Sequence, residues 1–296
     1  MTITACLGKL AGVFGATMVL VLGGCGPQPP INGGTGGTGS GGTGGGEPGV
    51  CNVPRYEFRS YTSGWADSPS YGAATIYYPV GAPEPLPGVI VVPGFTALQN
   101  SIANWGTYLA ARGFVTMTID TNATGDFPPA RSTALLAALQ TLKNENGRAG
   151  SPLNGKLRPD SYALMGHSMG GGGTLIASNQ NPPGVKAAIG LTPWESGRFT
   201  SNRVPTLYLT GSADALVSPG MARGTYESIP TSTPKAIAEF RGADHIFVLN
   251  PGSLGVQPAM VGTYAHAWLQ SFVNGNTGCR SVIQNNSEFS YFNSTL

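Results

Sequence analysis

Gly166-His167-Ser168-Met169-Gly170 places a serine between two glycines at the joint of two different segments. Tyr162 to Met165 before it reads as a strand, and the run Gly-Thr-Leu-Ile-Ala-Ser after it is compatible with a helix. In that context G-x-S-x-G is a nucleophile elbow: the turn is sterically crowded, glycines must flank it, and the hydroxyl stands at the strand tip. The N-terminus of the following helix points its free N–H groups at the same place. A serine hydroxyl is a weak nucleophile until a base takes its proton. The chain holds three histidines. His167 adjoins Ser168 in the turn and cannot fold back onto it, and His266 lies in the middle of a late helix. His245, in a Gly-Ala-Asp-His loop just after the strand Ala236 to Phe240, is the expected base.

An imidazole acting as base needs a carboxylate to hold its tautomer and stabilise the imidazolium. Asp214 follows the strand Thr206 to Leu209 and gives the chain order Ser, Asp, His that suits an α/β-hydrolase fold. Asp244 competes through its position beside His245, although sequence neighbours rarely reach Nδ1 in plane, and Asp120 at an earlier strand end is a further candidate. The oxyanion formed on attack needs two donors. The Met169 amide is one, and the loop Pro93-Gly94-Phe95-Thr96 supplies the other, assigned to the Phe95 N–H; each donor is worth about 3–4 kcal/mol.

These tips require a sheet whose strands deliver them to one edge. The chain from about residue 50 alternates strand-like and helix-like segments, the pattern of a mostly parallel α/β sheet covered on both faces. Arg55 to Tyr61 and Ala73 to Tyr78 read as early, antiparallel edge strands. Gly88 to Val92, Phe114 to Ile119, Tyr162 to Met165, Ala187 to Leu191, Thr206 to Leu209 and Ala236 to Phe240 read as the remaining strands. Ile102, Trp105 and Leu109 share one helix face, as do Leu135, Leu139 and Leu142 in a helix over Ala134 to Asn146, and Met260, Tyr264 and Trp268 in a last one.

The first fifty residues have another character. Lys9 precedes the apolar run Leu10 to Leu22, which is too short to span a bilayer comfortably and fits the core of an export signal. It ends in Leu22-Gly23-Gly24-Cys25, which resembles a lipobox; an ordinary cleaved signal that happens to contain Cys25 is the plainer alternative. The Gly/Thr-rich stretch to Val50 has almost nothing to bury and reads as a flexible tether. The expected division is therefore an export signal over 1–24, a linker over 25–50 and a catalytic domain over 51–296, in an exported envelope lipoprotein or secreted protein. Of four cysteines, Cys6 falls in the signal and Cys25 at the cleavage point, leaving Cys51 and Cys279 to pair in an oxidising compartment. Charged residues make up 10% of the chain, against roughly 25% in ordinary soluble domains. No basic cluster calls for nucleic acid and no acidic tail for a charged partner; a membrane partner is expected only through the lipid anchor, and the protein is expected to be a monomer.

The segments VVPGFTALQNSI, RGFVTMTIDTN, GHSMGGGGTLIAS, LTPW, VPTLYLTGSAD and AWLQSFVNGNT together resemble bacterial polyester hydrolases of the cutinase type, the group that includes poly(ethylene terephthalate) hydrolases and cold-active lipases. The likeness runs from about Tyr56 to Thr277, and the four glycines after the nucleophile are a specific mark. So are the intervals of 46 residues from Ser168 to Asp214 and 31 from Asp214 to His245. The resemblance implies an α/β-hydrolase fold without a lid domain, an open groove, and hydrolysis of polyesters and short esters without metal or cofactor. It implies that the Phe95 ring clamps the acyl group and that Trp194 stacks on an aromatic acid ring, with Met169 and Leu216 lining the cleft. Trp194 as a core or rim residue is the alternative. Some members brace the Asp and His loops with a cysteine pair; Gly211 and Ile246 stand there in this chain, and the C-terminal pair of the family is reduced to Cys279. Two other readings stay open: a lipase or general carboxylesterase, and a non-catalytic envelope protein that binds through a hydrolase fold.

Overall fold

A computed structural model describes residues 51–296; the expected signal, Cys25 and the tether lie outside the described residues. The nine strands found there form one mixed sheet in the order β1-β2-β4-β3-β5-β6-β7-β8-β9. They are β1 (Glu57–Tyr61), β2 (Ala74–Val80), β3 (Leu86–Val92), β4 (Val115–Ile119), β5 (Leu157–His167), β6 (Val185–Leu191), β7 (Thr206–Gly211), β8 (Lys235–Phe240) and β9 (Phe289–Ser294). Strands β3 to β8 run parallel; β1 and β2 at one edge and β9 at the other are antiparallel to their neighbours. The sheet is that of an α/β hydrolase, as the sequence pattern predicts.

The central strands read as unbroken apolar runs because both of their faces are covered. In β3, Val89 and Val91 join one core with Trp105 and Leu109 of α1 (Ala103–Ala110) and Trp268 of α5 (Val256–Phe272). Their neighbours Ile90 and Val92 point the other way, against Leu135, Ala138 and Leu142 of α2 (Pro128–Glu145). Farther along that second face, Leu175 of α3 (Met169–Asn179) packs with Tyr208, Ile237 and Tyr226, the last from α4 (Pro219–Ser228). The period of two within each strand is thus converted into two separate cores, and removing that much apolar surface from water supplies the main driving force of the fold.

Three elements depart from the expected pattern. Helix α4 is short and only one of its faces is buried, but it carries a start signal: Ser218 accepts a hydrogen bond from the Met221 N–H, and Pro219 stands at the first helical position. Helix α2 begins at Pro128, six residues before the predicted Ala134, because a proline in the first turn needs no intrahelical donor. Strand β9 closes the far edge with Phe289, which is buried against Phe240 and Tyr264.

Cys51 and Cys279, both buried in the α1/α5 core, form a disulfide across 228 positions of chain. Closing so long a loop constrains the unfolded chain strongly. The double variant Cys51→Ser/Cys279→Ser is expected to lose about 2–5 kcal/mol of stability. Urea denaturation of the oxidised protein and the variant measures it, and coincident midpoints would show that the bridge contributes nothing.

Candidate active site

The carboxyl ends of β3, β5, β6, β7 and β8 lie side by side, so the loops leaving them share one edge of the sheet, where open parallel sheets form their crevice. Strand β5 ends at His167 and α3 begins at Met169, leaving Ser168 as a one-residue joint with φ 55° and ψ −122°. A non-glycine residue in such a conformation costs of order 1–3 kcal/mol and persists only where its surroundings over-determine it. They do so here. The Ser168 N–H donates to the Leu191 carbonyl (2.9 Å), and its own carbonyl accepts from Gly172 (3.0 Å) and Trp194 (2.8 Å). Four non-glycine residues among those described have positive φ; besides Ser168, Thr96 (59°) and Thr192 (41°) also belong to this edge.

The glycines around the serine allow three backbones to crowd it. A Cβ on Gly94 would stand 2.9 Å from the Ser168 Cβ, and one on Gly170 2.4 Å from the Pro93 carbonyl oxygen. At Gly171 it would meet Pro193 Cα at 2.8 Å, at Gly172 the Trp194 oxygen at 2.3 Å, and at Gly173 Arg131 Cβ at 2.8 Å. The four-glycine run therefore has a steric purpose: each glycine receives a different neighbour, namely the β3 loop, the two positions of the β6 loop, and α2.

His245 Nδ1 lies 2.7 Å from Asp214 Oδ2. The other carboxylate oxygen, Oδ1, accepts the amides of Leu216 and Val217, each at 2.8 Å. Burial works against the charged form of Asp214, but the hydrogen bonds from His245 and those two amides together outweigh it and hold its pKa below the ordinary value. Of the competing carboxylates, Asp244 turns its Oδ1 to the amides of Ile246 and Phe247, and Asp120 accepts from the Gln99 amide. The Asp and His loops are joined by two hydrogen bonds, Ala213 N–H to the Ala243 carbonyl (3.0 Å) and Gly242 N–H to Ser212 Oγ (2.8 Å). Gly211 is what lets them close, since a Cβ there would meet the Ala243 oxygen at 2.3 Å.

Two residues that sequence reasoning assigned no part tie His245 to the serine joint. Thr192 Oγ1 donates to the His245 carbonyl, and His167 Nε2 lies 3.1 Å from the same oxygen. A carbonyl only accepts, so Nε2 of His167 carries the proton. The two imidazole centroids are 4.8 Å apart. Nothing in the spacing of G-H-S-M-G announces this, because the bond spans 78 positions. His266, by contrast, is fully buried in α5 beside Phe114 and Gln270.

Arg131 of α2 is also fully buried, and its guanidinium donates to three carbonyls, those of Pro93 (2.9 Å), Thr124 (2.8 Å) and Asp126 (2.7 Å). The Thr96 N–H donates to the same Thr124 oxygen (2.8 Å). Arg131 thus staples the Phe95 turn to the loop before α2. Phe95 is 44% and Leu216 67% exposed, and Trp194 is half-buried, all on loops at this edge; Met169, also half-buried, opens α3 beside them.

Burial, with the neighbouring His245 second, pushes the His167 pKa from 6.5 down to about 4. An imidazole so shifted binds fewer protons folded than unfolded, so acid favours unfolding. Its contribution is intact above about pH 6.5 and is lost progressively toward pH 4, amounting to about 3 kcal/mol. His167→Gln keeps an N–H for the His245 carbonyl without the titration. Urea unfolding as a function of pH should show a flatter slope for this variant over that interval; a slope equal to that of the parent would mean that the imidazole is not held neutral.

The chain matches the family described as PETase, PET hydrolase-like, over residues 45–294. It is 41% identical over 210 residues to cutinase 2 of Thermobifida cellulosilytica, covering 70% of this chain and 76% of that one. To cutinase cut1 of Thermobifida fusca the identity is 41% over 210 residues, 70% of this chain and 62% of that one. A bis(hydroxyethyl) terephthalate hydrolase of Streptomyces coelicolor is 39% identical over 210 residues, 70% of this chain and 64% of its own. With a strained serine joint, a His–Asp pair beside it and a family match over most of its length, this chain belongs to the PET hydrolase-like family.

Proposed function

We infer that the protein is a serine carboxylic ester hydrolase acting on polyesters, aromatic or cutin-like, and on short esters. The observation that supports this is the tie between the serine joint and His245: His167, next to Ser168, and Thr192 both bond the His245 carbonyl, and the Asp214 carboxylate lies at its Nδ1. The names of the relatives, cutinase and bis(hydroxyethyl) terephthalate hydrolase, point to the same substrates.

In this reading His245 takes the Ser168 proton as the oxygen attacks the ester carbonyl. Asp214, kept ionised by its bonds to His245 and to two amides, stabilises the imidazolium that forms. The oxyanion rests on the amides of Met169 and Phe95. Met169 is the first residue of α3, so its N–H has no acceptor within the helix, and the Phe95 turn is held against the serine by Gly94 and Arg131. His245 then protonates the leaving alcohol, and water repeats the sequence to free the acid. The chemistry draws on side chains and backbone amides alone. His167, neutral at working pH, adds no positive charge against the imidazolium 4.8 Å away.

The catalytic domain is assigned to residues 51–296, acting as a monomer, behind an export signal over 1–24 and a tether over 25–50 that lets a lipid on Cys25 hold the enzyme at the cell envelope. Cys25→Ser is expected to release the protein from the membrane fraction, with mass spectrometry of the parent's N-terminus finding the acylated cysteine; an unmodified N-terminus would leave plain secretion. Ser168→Ala should lower kcat/KM on p-nitrophenyl butyrate by about 10⁴-fold or more. Near-parental activity would overturn the nucleophile assignment.

A further inference from the structure

The chain leaves β6 at Leu191 and turns away at Thr192-Pro193. Thr192 is fully buried and holds φ 41°, an outlier for a β-branched side chain. Glycine would take that conformation without steric cost, so the threonine stands there against local preference. Pro193 fixes the turn. A Cβ on Gly171 would meet it at 2.8 Å and one on Gly190 at 3.0 Å, so the proline packs on backbone that carries no side chain.

Three bonds converge on this turn, and each leads to a different member of the Ser, His and Asp set. The Leu191 carbonyl accepts the Ser168 N–H (2.9 Å). The Thr192 N–H, on the other side of the same peptide, donates to the Leu209 carbonyl (2.8 Å), five positions before Asp214. The Thr192 hydroxyl donates to the His245 carbonyl (3.1 Å). The first two bonds continue the ladders of β6 with β5 and β7, and any residue other than proline would make them. The third needs a hydroxyl.

What that hydroxyl does follows from how an imidazole is held. Asp214 holds the His245 ring at Nδ1 (2.7 Å), and a ring held at one atom can pivot about it. The second anchor is the main chain. A carbonyl oxygen has two lone pairs, and Thr192 Oγ1 and His167 Nε2 approach that of His245 at 3.1 Å each. His167 ends β5 and Thr192 follows β6, so the carbonyl is gripped from two adjacent strand ends. With one donor removed it can turn about the other, and the far side of the ring swings relative to Ser168. Proton transfer needs its heavy atoms within about 2.6–3.2 Å, and a misplacement of roughly 1 Å costs up to about 100-fold in rate.

We propose that Thr192 is a positioning residue whose hydroxyl, through the His245 carbonyl, sets where the imidazole stands relative to Ser168. The proposal rests on the ester-hydrolase reading above, in which His245 takes the Ser168 proton. Thr192 acts only through His245.

Three variants separate the hydroxyl from the bulk, assayed on p-nitrophenyl butyrate at a temperature where urea titration shows each to be folded. Thr192→Val keeps the branched shape without the hydroxyl, Thr192→Ala drops both, and Thr192→Ser keeps the hydroxyl without the methyl. Valine and alanine are each expected to lower kcat about tenfold with KM within about twofold, and serine to keep at least about a third of the parental kcat. Alanine also relieves the crowding at positive φ, so it tests the hydroxyl even where valine does not fold. A threonine that served packing alone would give serine the same loss as alanine, since both lack the methyl. That ordering overturns the proposal, as does a parental kcat in valine and alanine or a loss seen only in KM. An inactive parent overturns the esterase reading and this inference with it, whereas an active parent indifferent to the hydroxyl overturns this inference alone.

Discussion

The first turn of α3 has no side chains from Gly170 to Gly173, and the site is built in the space this leaves. Four Cβ atoms there would stand between 2.3 and 2.8 Å from the Pro93 oxygen, Pro193, the Trp194 oxygen and Arg131, all well inside van der Waals contact. Without them three chain segments approach a helix N-terminus from three directions. Glycine costs a helix interior up to about 1 kcal/mol per residue. Four in succession make α3 intrinsically poor, and its stability comes from burial against β5, β6 and α2.

Strain is gathered at the same place. Ser168, Thr96 and Thr192 all hold positive φ without being glycine, and each is fixed by hydrogen bonds. Ser168 is bonded through both its N–H and its carbonyl, the Thr96 N–H to Thr124, and Thr192 through its N–H to Leu209 and its hydroxyl to His245. Arg131 serves the same end from within the protein. Burial lowers its pKa by desolvation, with Asp126 countering, and among the described residues its guanidinium is bonded by three carbonyl oxygens rather than by a carboxylate. A buried charge is tolerable when its donors are filled, and filling them with carbonyls rather than a carboxylate makes this arginine a tie between loops.

The electrostatics of the paired imidazoles follow from burial and tautomer. His167 donates through Nε2 to the His245 carbonyl and is pushed to about 4, so it braces the base loop without competing for protons at neutral pH. His245 meets the opposite environment, an ionised Asp214 at Nδ1. The two imidazoles in contact therefore hold different partners, a carbonyl for His167 and a carboxylate for His245.

The amino-acid sequence by itself determined the class of fold and the order along the chain of Ser168, Asp214 and His245. Val89-Ile90-Val91-Val92 is apolar on both faces and admits little but a covered parallel strand, and Gly166 to Gly170 between a strand and a helix admits little but an elbow. Local signals of that kind depend on residues a few positions apart. Even the start of α4 was written locally, in Ser218-Pro219. Tertiary structure alone decided the rest: that the carbonyl of His245 meets His167 and Thr192, and that Arg131 staples two loops. Each of these joins residues on different strands or loops, and their meeting depends on how the sheet twists and how deeply α3 settles. No periodicity along the chain records such distances, because side-chain patterns encode which face a residue takes and not which distant residue it will find there.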